Sequence, residues 1–433
     1  MNFPQEGKEI NTVLALLNDK RTNDAKWDEG NLFGYVYHVS ESIHELINKV
    51  YEDFGMTNAL NPMAFPSLQA CESEVLSMSA SLLGNPDAVG TITTGGTESI
   101  CMAMKAARDW ARSEKDITKP NVIVPTTVHP AFQKAGHYFD IEVRVASVGP
   151  DFRVSLKEIE NQLDDNTMML VGSAPNFPYG TIDPIEEIGQ IALKAKTLFH
   201  VDGCLGGFML PFLKRLEYPL PPFDLSVPGV TSMSADLHKY GYSAKGASAV
   251  LYNSRDLRKK QFYVYTEWPG GLYGSPSMTG ARGGAPIASA WALLQHLGES
   301  GYMKLARHTN EAADQIKKAI DTMDDLYILG KPAMNVFAFG SDTVDVYALC
   351  DVLAKKGWVL DKLQKPNALH MMISPIHVKK ADSFSQDLQA ALKTVKEGNI
   401  QVEGQAAMYG ALTQMPDRGD VKNIILEFLD GLY

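Results

Sequence analysis

The stretch Ser232-Met-Ser-Ala-Asp-Leu-His-Lys-Tyr-Gly-Tyr-Ser-Ala-Lys-Gly246 is the part of the chain from which its fold can be inferred. An apolar run at residues 230–233 leads into it, and a strand-like run at 247–252 follows. The pattern predicts a turn between two buried strands with Lys239 at its centre. An isolated loop lysine is usually solvated, but a lysine desolvated in a crevice has a lowered pKa and can form a Schiff base. Signals elsewhere in the chain must decide between these two interpretations.

Strand and helix patterns alternate upstream of this turn. Strands are predicted at 88–93, 121–124, 141–145, 167–171 and 197–201, with helices at 97–113, 130–138 and 184–196. Such alternation predicts an α/β fold with a mostly parallel sheet covered by helices on both faces. Ligands of these sheets bind at the carboxyl ends of the strands. Functional residues are therefore expected where the strands end.

The chain of 433 residues is longer than one hydrophobic core usually supports. Amphipathic helical patterns near the start and shorter elements in the last third predict three parts. These are an N-terminal helical arm (1–57), a large domain (58–310) and a small C-terminal α/β domain (311–433).

Composition excludes several classes of protein. The net charge of −11 argues against a nucleic-acid-binding surface. The four cysteines are scattered, which argues against a disulfide framework or metal site and favours a reducing compartment. No signal-peptide pattern opens the sequence and no apolar run approaches the roughly 20 residues of a membrane span. We therefore expect a cytoplasmic protein without a bound metal.

Two further motifs fall at predicted strand ends. In Thr93-Thr-Gly-Gly-Thr-Glu-Ser99, Gly95, Gly96 and Thr97 open a helix and suit a phosphate, although a simple glycine turn has the same pattern. Asp202 ends an apolar strand, where a carboxylate caps a loop or holds a protonated ring nitrogen. Together with Lys239, these features are what pyridoxal 5′-phosphate (PLP) requires.

Three more residues near these strand ends have open roles. His129 can be structural or can stack flat on a cofactor ring. His238 either donates to the cofactor phosphate or only packs beside Lys239. Lys245 either reaches a substrate anion or is solvated.

At this point the chain resembles the sphingosine-1-phosphate lyase family. The motifs that carry the resemblance are Thr94-Gly-Gly-Thr-Glu-Ser-Ile100, Val201-Asp-Gly-Cys-Leu-Gly-Gly-Phe208, Ser234 to Gly246 and Trp268-Pro-Gly-Gly-Leu-Tyr-Gly-Ser-Pro276. The resemblance implies a fold-type I PLP enzyme that acts as a homodimer with shared active sites. It also implies that PLP forms a Schiff base with Lys239, that Asp202 binds the pyridine nitrogen and that His129 stacks on the ring.

The resemblance assigns the remaining binding residues as well. Gly96, Thr97 and His238 would hold the cofactor phosphate, and a loop containing Gly283 would approach from the partner subunit. Tyr37 and Lys245 would contact the substrate phosphate.

Two positions depart from the family pattern. Asn61 stands where the family usually has a histidine facing the substrate phosphate, and Ala281 stands where it has a serine. Hydrogen bonds to charged groups are worth roughly 1.5–3 kcal/mol each. These changes are therefore expected to weaken phosphate binding.

The resemblance implies cleavage of the C2–C3 bond of a phosphorylated long-chain amino alcohol, giving a fatty aldehyde and phosphoethanolamine. Tyr240, Tyr242 and Lys239 are acid–base candidates, and the apolar stretch 262–273 either lines a channel for the lipid tail or is core. Two alternatives remain: an amino-acid decarboxylase of the same fold, and a catalytically silent binding or scaffold protein.

Overall fold

The computed structural model describes residues 3–398 and 404–432. The outermost residues of the predicted arm and parts of the predicted C-terminal domain (1–2, 399–403 and 433) lie outside the described residues.

The central element is a seven-stranded sheet. Its strands are β1 (Val89–Thr93), β2 (Asn121–Pro125), β3 (Glu142–Ala146), β4 (Thr167–Ser173), β5 (Leu198–Asp202), β6 (Ser232–Ala235) and β7 (Ser248–Tyr252). Their order across the sheet is β1-β7-β6-β5-β4-β2-β3, and only β7 runs opposite to the other strands. The predicted mostly parallel sheet is confirmed, and the Lys239 turn connects β6 to β7.

Helices cover both faces of this sheet. In chain order the helices of this part of the chain are α1 (Ile10–Lys20), α2 (Glu41–Phe54), α3 (Pro66–Leu82), α4 (Gly96–Glu114), α5 (Ala131–Phe139), α6 (Leu156–Gln162), α7 (Ile185–Ala195), α8 (Leu210–Arg215) and α9 (Arg255–Lys259). Helix α1 does not share in this covering, because none of its residues is buried. Alternate residues of a strand face opposite sides. Accordingly, Val122 and Val124 pack in the core cluster under α4 and α5, while Ile123 packs in the cluster on the other face.

A small hairpin follows α9 and consists of β8 (Tyr263–Tyr265) and β9 (Tyr273–Ser275). It contains most of the apolar stretch that the sequence analysis considered as a lipid channel or core. Tyr263, Val264 and Leu272 are exposed on it. In the single chain, therefore, this stretch is neither core nor an enclosed channel.

Helix α10 (Gly284–Asp321) connects the two halves of the chain and is kinked at Gly298, whose φ of 54° and ψ of −176° are not helical. Ala306 packs in the core beneath the large sheet, whereas Ala312 packs in the core of the C-terminal half. The predicted boundary at 310 lies between them and stays a prediction.

The C-terminal half contains a four-stranded antiparallel sheet. Its elements are β10 (Tyr327–Ile328), β11 (Val336–Gly340), α11 (Val346–Lys355), β12 (Asp361–Gln364), β13 (Asn367–Met372), α12 (Ala381–Lys396), α13 (Gly404–Gln414) and α14 (Arg418–Asp430), with strand order β10-β11-β13-β12. Sequence patterns missed β12 because its residues, Asp-Lys-Leu-Gln, are largely polar, as is typical of an edge strand. In the part of the chain that the structure describes, no helix is long and apolar enough to cross a membrane.

Candidate active site

A cavity of about 380 Å³ opens at the carboxyl ends of the parallel strands. It is lined by the loop after β1, the start of α4, the loop after β2, the residues after β5 and the turn after β6. The lining residues include Gly95, Gly96, Thr97, His129, Cys204, Asp236, His238 and Lys239. The strand ends therefore bring together the separate motifs found in the sequence.

Lys239 forms an ion pair that the sequence analysis did not anticipate. Its Nζ lies 2.9 Å from Oδ2 of the buried Asp236, three residues earlier in the turn. Burial is the largest influence and acts to lower the pKa of Lys239, but Asp236, together with Cys204 and Tyr37, raises the pKa above its usual value. The expectation that desolvation lowers this pKa is therefore wrong for the chain alone.

Gly95 and Gly96 form a cradle in which a side chain would be crowded, most severely at Gly96. A Cβ at Gly96 would lie 2.7 Å from Sγ of Cys204 and 2.8 Å from Oδ2 of Asp236, and a Cβ at Gly95 would lie 3.2 Å from Cε1 of His238. The first backbone N–H groups of a helix have no intrahelical partner and attract anions. At the start of α4 these groups and the exposed Thr97 can hold a phosphate.

Asp202 ends β5 and is buried. Its Oδ1 accepts hydrogen bonds from the Cys204 backbone N–H (3.1 Å) and the Ser234 hydroxyl (3.3 Å). Ser234 in turn lies 3.3 Å from Nε2 of His200, whose pKa is lowered to about 4 by burial. One backbone donor (Cys204) and one side-chain donor (Ser234) thus fix the Asp202 carboxylate at the edge of the crevice.

The rings of His129 and His238 both accept hydrogen bonds from backbone N–H groups of other residues. Nδ1 of His129 accepts the Ala131 N–H at 3.1 Å. The residue reaches solvent, but the protein atoms around the ring partly desolvate it, which lowers its pKa. Nδ1 of His238 accepts the N–H groups of Gly246 and Ala247, both at 3.2 Å. Burial lowers the pKa of His238 to about 4. A neutral His238 whose Nδ1 is an acceptor carries its proton on Nε2, which can donate to a phosphate.

Tyr37 and Lys245, the two residues that the resemblance gives as contacts of the substrate phosphate, lie near each other and near Lys239. The Lys245 ammonium lies 4.9 Å from the centre of the Tyr37 ring. Desolvation and the nearby charge of Lys239 lower the pKa of Lys245 to about 8. Burial raises the pKa of Tyr37 to about 12, so its hydroxyl stays protonated. The Tyr37 hydroxyl donates to Sδ of Met372 at 3.3 Å, and because a thioether is a weak acceptor a phosphate oxygen can compete for this donor. The pair therefore offers one cation and one hydroxyl donor outside the cofactor cradle.

Tyr240 does not present a free hydroxyl. The side chain is fully buried, and its hydroxyl donates a hydrogen bond to the Ile373 carbonyl at 3.0 Å. Burial raises the pKa of Tyr240 well above its usual value. This geometry does not favour the predicted acid–base role.

Asn61, Ala281 and Gly283 lie in another part of the chain. Asn61 and Arg282 line a separate cavity of about 220 Å³ that shares no lining residue with the Lys239 cavity. Ala281 and Gly283 flank Arg282 and are exposed, and Gly283 forms a β-bridge with Asn58. Within one chain, these predicted substrate and cofactor residues are not brought to Lys239.

Glu98, which the sequence analysis missed, connects the glycine cradle with the loop that precedes Ala281. Its Oε2 accepts the N–H (2.7 Å) and hydroxyl (2.6 Å) of Thr94, beside the glycine cradle. Its Oε1 accepts the N–H groups of Met278 (2.8 Å) and Thr279 (3.2 Å). A glutamate in the first turn of a helix is an ordinary sequence feature, so nothing local pointed to the second pair.

The residues that line the crevice fit the chemical groups of PLP. The cradle lacks side chains where a phosphate would approach, one lysine faces the cavity, and a fixed carboxylate ends the neighbouring strand. The fold and this site define a PLP-dependent enzyme of the fold-type I class.

Comparisons with known proteins identify the branch of this class. The family model described as the pyridoxal-dependent decarboxylase conserved domain matches residues 3–341. Sphingosine-1-phosphate lyase of Arabidopsis thaliana is 44% identical over all of this chain and 81% of its own length. The solved sphingosine-1-phosphate lyase of Burkholderia pseudomallei is 39% identical, with a TM-score of 0.89 over 92% of this chain and 93% of that one. The chain belongs to the sphingosine-1-phosphate lyase family, and it is a PLP-dependent carbon–carbon lyase.

The glutamate decarboxylase of Lactobacillus brevis shows the breadth of the fold. Its structure has a TM-score of 0.80 over 93% of this chain and 96% of its own, but only 18% identity. That likeness concerns the fold alone and does not support the alternative of an amino-acid decarboxylase. Membership of the lyase family also disfavours the alternative of a silent scaffold protein.

Proposed function

We propose that the protein cleaves the C2–C3 bond of a phosphorylated long-chain 2-amino-3-alcohol of the sphingosine 1-phosphate type. The products are a fatty aldehyde and phosphoethanolamine. The observation that carries this proposal is the Tyr37–Lys245 pair beside Lys239, because it provides an anion site separate from the cofactor cradle.

Several residues have binding roles in this proposal. Lys239 would bind the cofactor through its Nζ, Gly95, Gly96, Thr97 and His238 would hold its phosphate, and His129 would pack on its ring. Asp202 would hold a proton on the pyridine nitrogen. When bound, PLP supplies the electron sink for the pair released as the carbon–carbon bond breaks. Tyr37 donates to the substrate phosphate and Lys245 neutralises part of its charge.

The proton of the substrate 3-hydroxyl needs an acceptor at the mouth of the crevice. Of the three acid–base candidates, Tyr240 is bonded to Ile373 and Tyr242 is buried against Tyr302. Lys239 is the candidate that lines the cavity, with Asp236 beside it. We therefore assign acceptance of this proton to the neutral amine of Lys239, and Asp236 would stabilise the ammonium that forms.

A homodimer with shared active sites completes the proposal. Asn61, Ala281 and Gly283 lie away from Lys239 of their own chain, so they would act in the partner's site. The exposed apolar face of α1, formed by Ile10, Val13, Leu14 and Leu17, supports association of this arm with a second subunit.

The cysteines bear on the cellular location. Four free cysteines, three of them buried, support a cytoplasmic location.

Two assays test the proposal. Purified PLP-loaded protein is expected to release long-chain aldehyde and phosphoethanolamine from sphingosine 1-phosphate, and Lys239→Ala is expected to release neither. Carbon dioxide from amino acids without any aldehyde would overturn it.

The shared site is tested with an equal mixture of inactive Lys239→Ala and blocking Asn61→Trp subunits. Half of the dimers should be mixed and each mixed dimer should have one intact site, so roughly a quarter of wild-type activity should return. No recovery in mixed dimers would rule out sharing.

A further inference from the structure

A second cavity, which we call the apolar cavity, adjoins the cofactor crevice. It has a volume of about 530 Å³ and is lined by residues from the loops after β2 and β4 and from β12. His129 lines both cavities. The two spaces therefore meet at the residue expected to pack on the cofactor ring.

The walls of the apolar cavity are mainly aliphatic and aromatic. They include Val128, Val148, Phe152, Phe177, Tyr179 and Leu363. Its volume lies within the range of about 300–1,000 Å³ that is usual for small-molecule sites, which are themselves mostly apolar. Thr126, Gln364 and Lys365 line it as well and are exposed. An apolar interior with exposed polar residues at its rim suits a chain that is aliphatic along its length.

Hydrogen bonds and ring contacts hold these walls in place without a ligand. The ring centres of Phe152 and Tyr179 lie 4.0 Å apart, and the Tyr179 hydroxyl donates to the Lys365 carbonyl. The ring centres of Phe177 and the buried His370 lie 4.3 Å apart with the rings tilted by 32°, and Nε2 of His370 lies 2.8 Å from the Phe177 carbonyl. The cavity is therefore formed in advance, which lowers the entropic cost of binding.

From these observations we propose that the apolar cavity binds the aliphatic chain of the substrate. The proposal rests on the proposed function for the identity of the polar end of the molecule. It gives a different location from the stretch 262–273, whose hairpin side chains are exposed. Binding in this cavity would select substrates by chain length.

Chain-length selection can be measured with a series of 2-amino-3-hydroxyalkyl phosphates. All members release the same product, phosphoethanolamine, so one assay serves the whole series. Because each buried methylene contributes a similar free energy, kcat/KM is expected to rise about fourfold per added carbon until the cavity is full. A wild-type enzyme whose kcat/KM is independent of chain length would overturn the proposal.

Two variants place the effect in this cavity. Leu363→Trp fills it and is expected to lower kcat/KM at least about tenfold for the longest substrate while leaving the shortest unchanged. Phe177→Ala removes part of a wall and should reduce the gain per carbon, and it serves as well if the tryptophan variant does not fold. Leu193→Trp on α7, where Leu193 is 52% exposed, is the matched control and should alter neither end of the series. Equal losses for short and long substrates in both cavity variants would overturn the proposal.

A binding experiment separates failure of this proposal from failure of the proposed function. Calorimetry with 2-aminoalkyl phosphates that lack the 3-hydroxyl requires no cleavage. The heat capacity of binding should become more negative with chain length, and Leu363→Trp should remove that trend. If no substrate is cleaved but this trend is found, the proposed reaction fails and the cavity assignment stands. If cleavage occurs and the trend is absent, the cavity assignment fails alone.

Discussion

The Lys239 ammonium lies 2.9 Å from the Asp236 carboxylate, so the lysine of the Schiff-base turn is held as a cation. Only a neutral amine attacks a carbonyl, and Asp236 keeps the neutral fraction small by raising the pKa of Lys239. In return, Asp236 is buried, which acts to raise its own pKa, but Lys239 and His238 bring that pKa below its usual value. We therefore expect the pair to control the pH at which the lysine can react.

We expect Asp236→Asn to shift cofactor capture to lower pH. Without the carboxylate, burial remains the largest influence on Lys239 and lowers its pKa, with only Cys204 and Tyr37 left to oppose it, so the neutral amine appears at lower pH. Stopped-flow absorbance of the lysine-bound cofactor, recorded from acid to alkaline pH with added PLP, measures this. Lys239→Ala, which should show no such absorbance, is the control. An unchanged pH profile in Asp236→Asn would show that the ion pair does not set the reactivity.

The binding of the phosphorylated substrate is expected to weaken as pH rises through about 8. The pKa of Lys245 is lowered to about 8 by desolvation and by Lys239, so the cation is present below that pH and lost above it. A phosphate monoester has its second pKa near about 6, so it stays a dianion across this interval. The kcat/KM value, which reports the free enzyme, should therefore fall above about pH 8.

Lys245→Arg is the control for this profile, because a guanidinium stays charged throughout. The variant should bind the phosphate without the decline above pH 8. The same decline in Lys245→Arg would assign it to another group.

The sequence predicted the large sheet and several site residues because both depend on local patterns. Alternating strands and helices place Gly96, Asp202 and Lys239 at strand ends, and parallel strands bring those ends to one edge. The ion pair between Lys239 and Asp236 could also have been inferred from the sequence, since the two residues are three apart in one turn. It was missed because only the effect of burial on the pKa of Lys239 was considered.

Contacts between residues that are far apart in the sequence could not be inferred from local patterns. Glu98 binds the N–H of Met278, 180 residues later, and nothing near Glu98 reports that contact. The apolar cavity combines Phe177 with Leu363 of a polar edge strand. Asn61 was grouped with Tyr37 by family likeness, yet the fold puts it on a separate cavity of the same chain.

Gly96→Ala is expected to lower the affinity for PLP at least about tenfold. Its Cβ would lie 2.7 Å from Sγ of Cys204 and within 2.9 Å of both Asp236 oxygens, and overpacking of this kind costs about 1–3 kcal/mol. Titration of the apoprotein with PLP, followed by absorbance, gives the affinity. Gly7→Ala is the control because a Cβ there meets nothing within 4 Å. Equal affinities in the two variants would show that the cradle tolerates a side chain.

Glu98→Gln is expected to destabilise the protein by about 1.5–3 kcal/mol and to loosen the loop at Met278 and Thr279. All four partners of the carboxylate are donors. A glutamine amide offers one oxygen, so its NH₂ group must face one pair of donors.

Two measurements check this prediction. Urea unfolding measures the stability, and hydrogen exchange at residues 278 and 279 measures the opening of the loop. Glu299→Gln, whose partner Arg215 is 38% exposed, is the control and should cost under about 1 kcal/mol. Faster exchange at 278 and 279 in Glu98→Gln but not in Glu299→Gln would establish that Glu98 couples this loop to the glycine cradle. Unchanged exchange would show that the loop is held by other contacts.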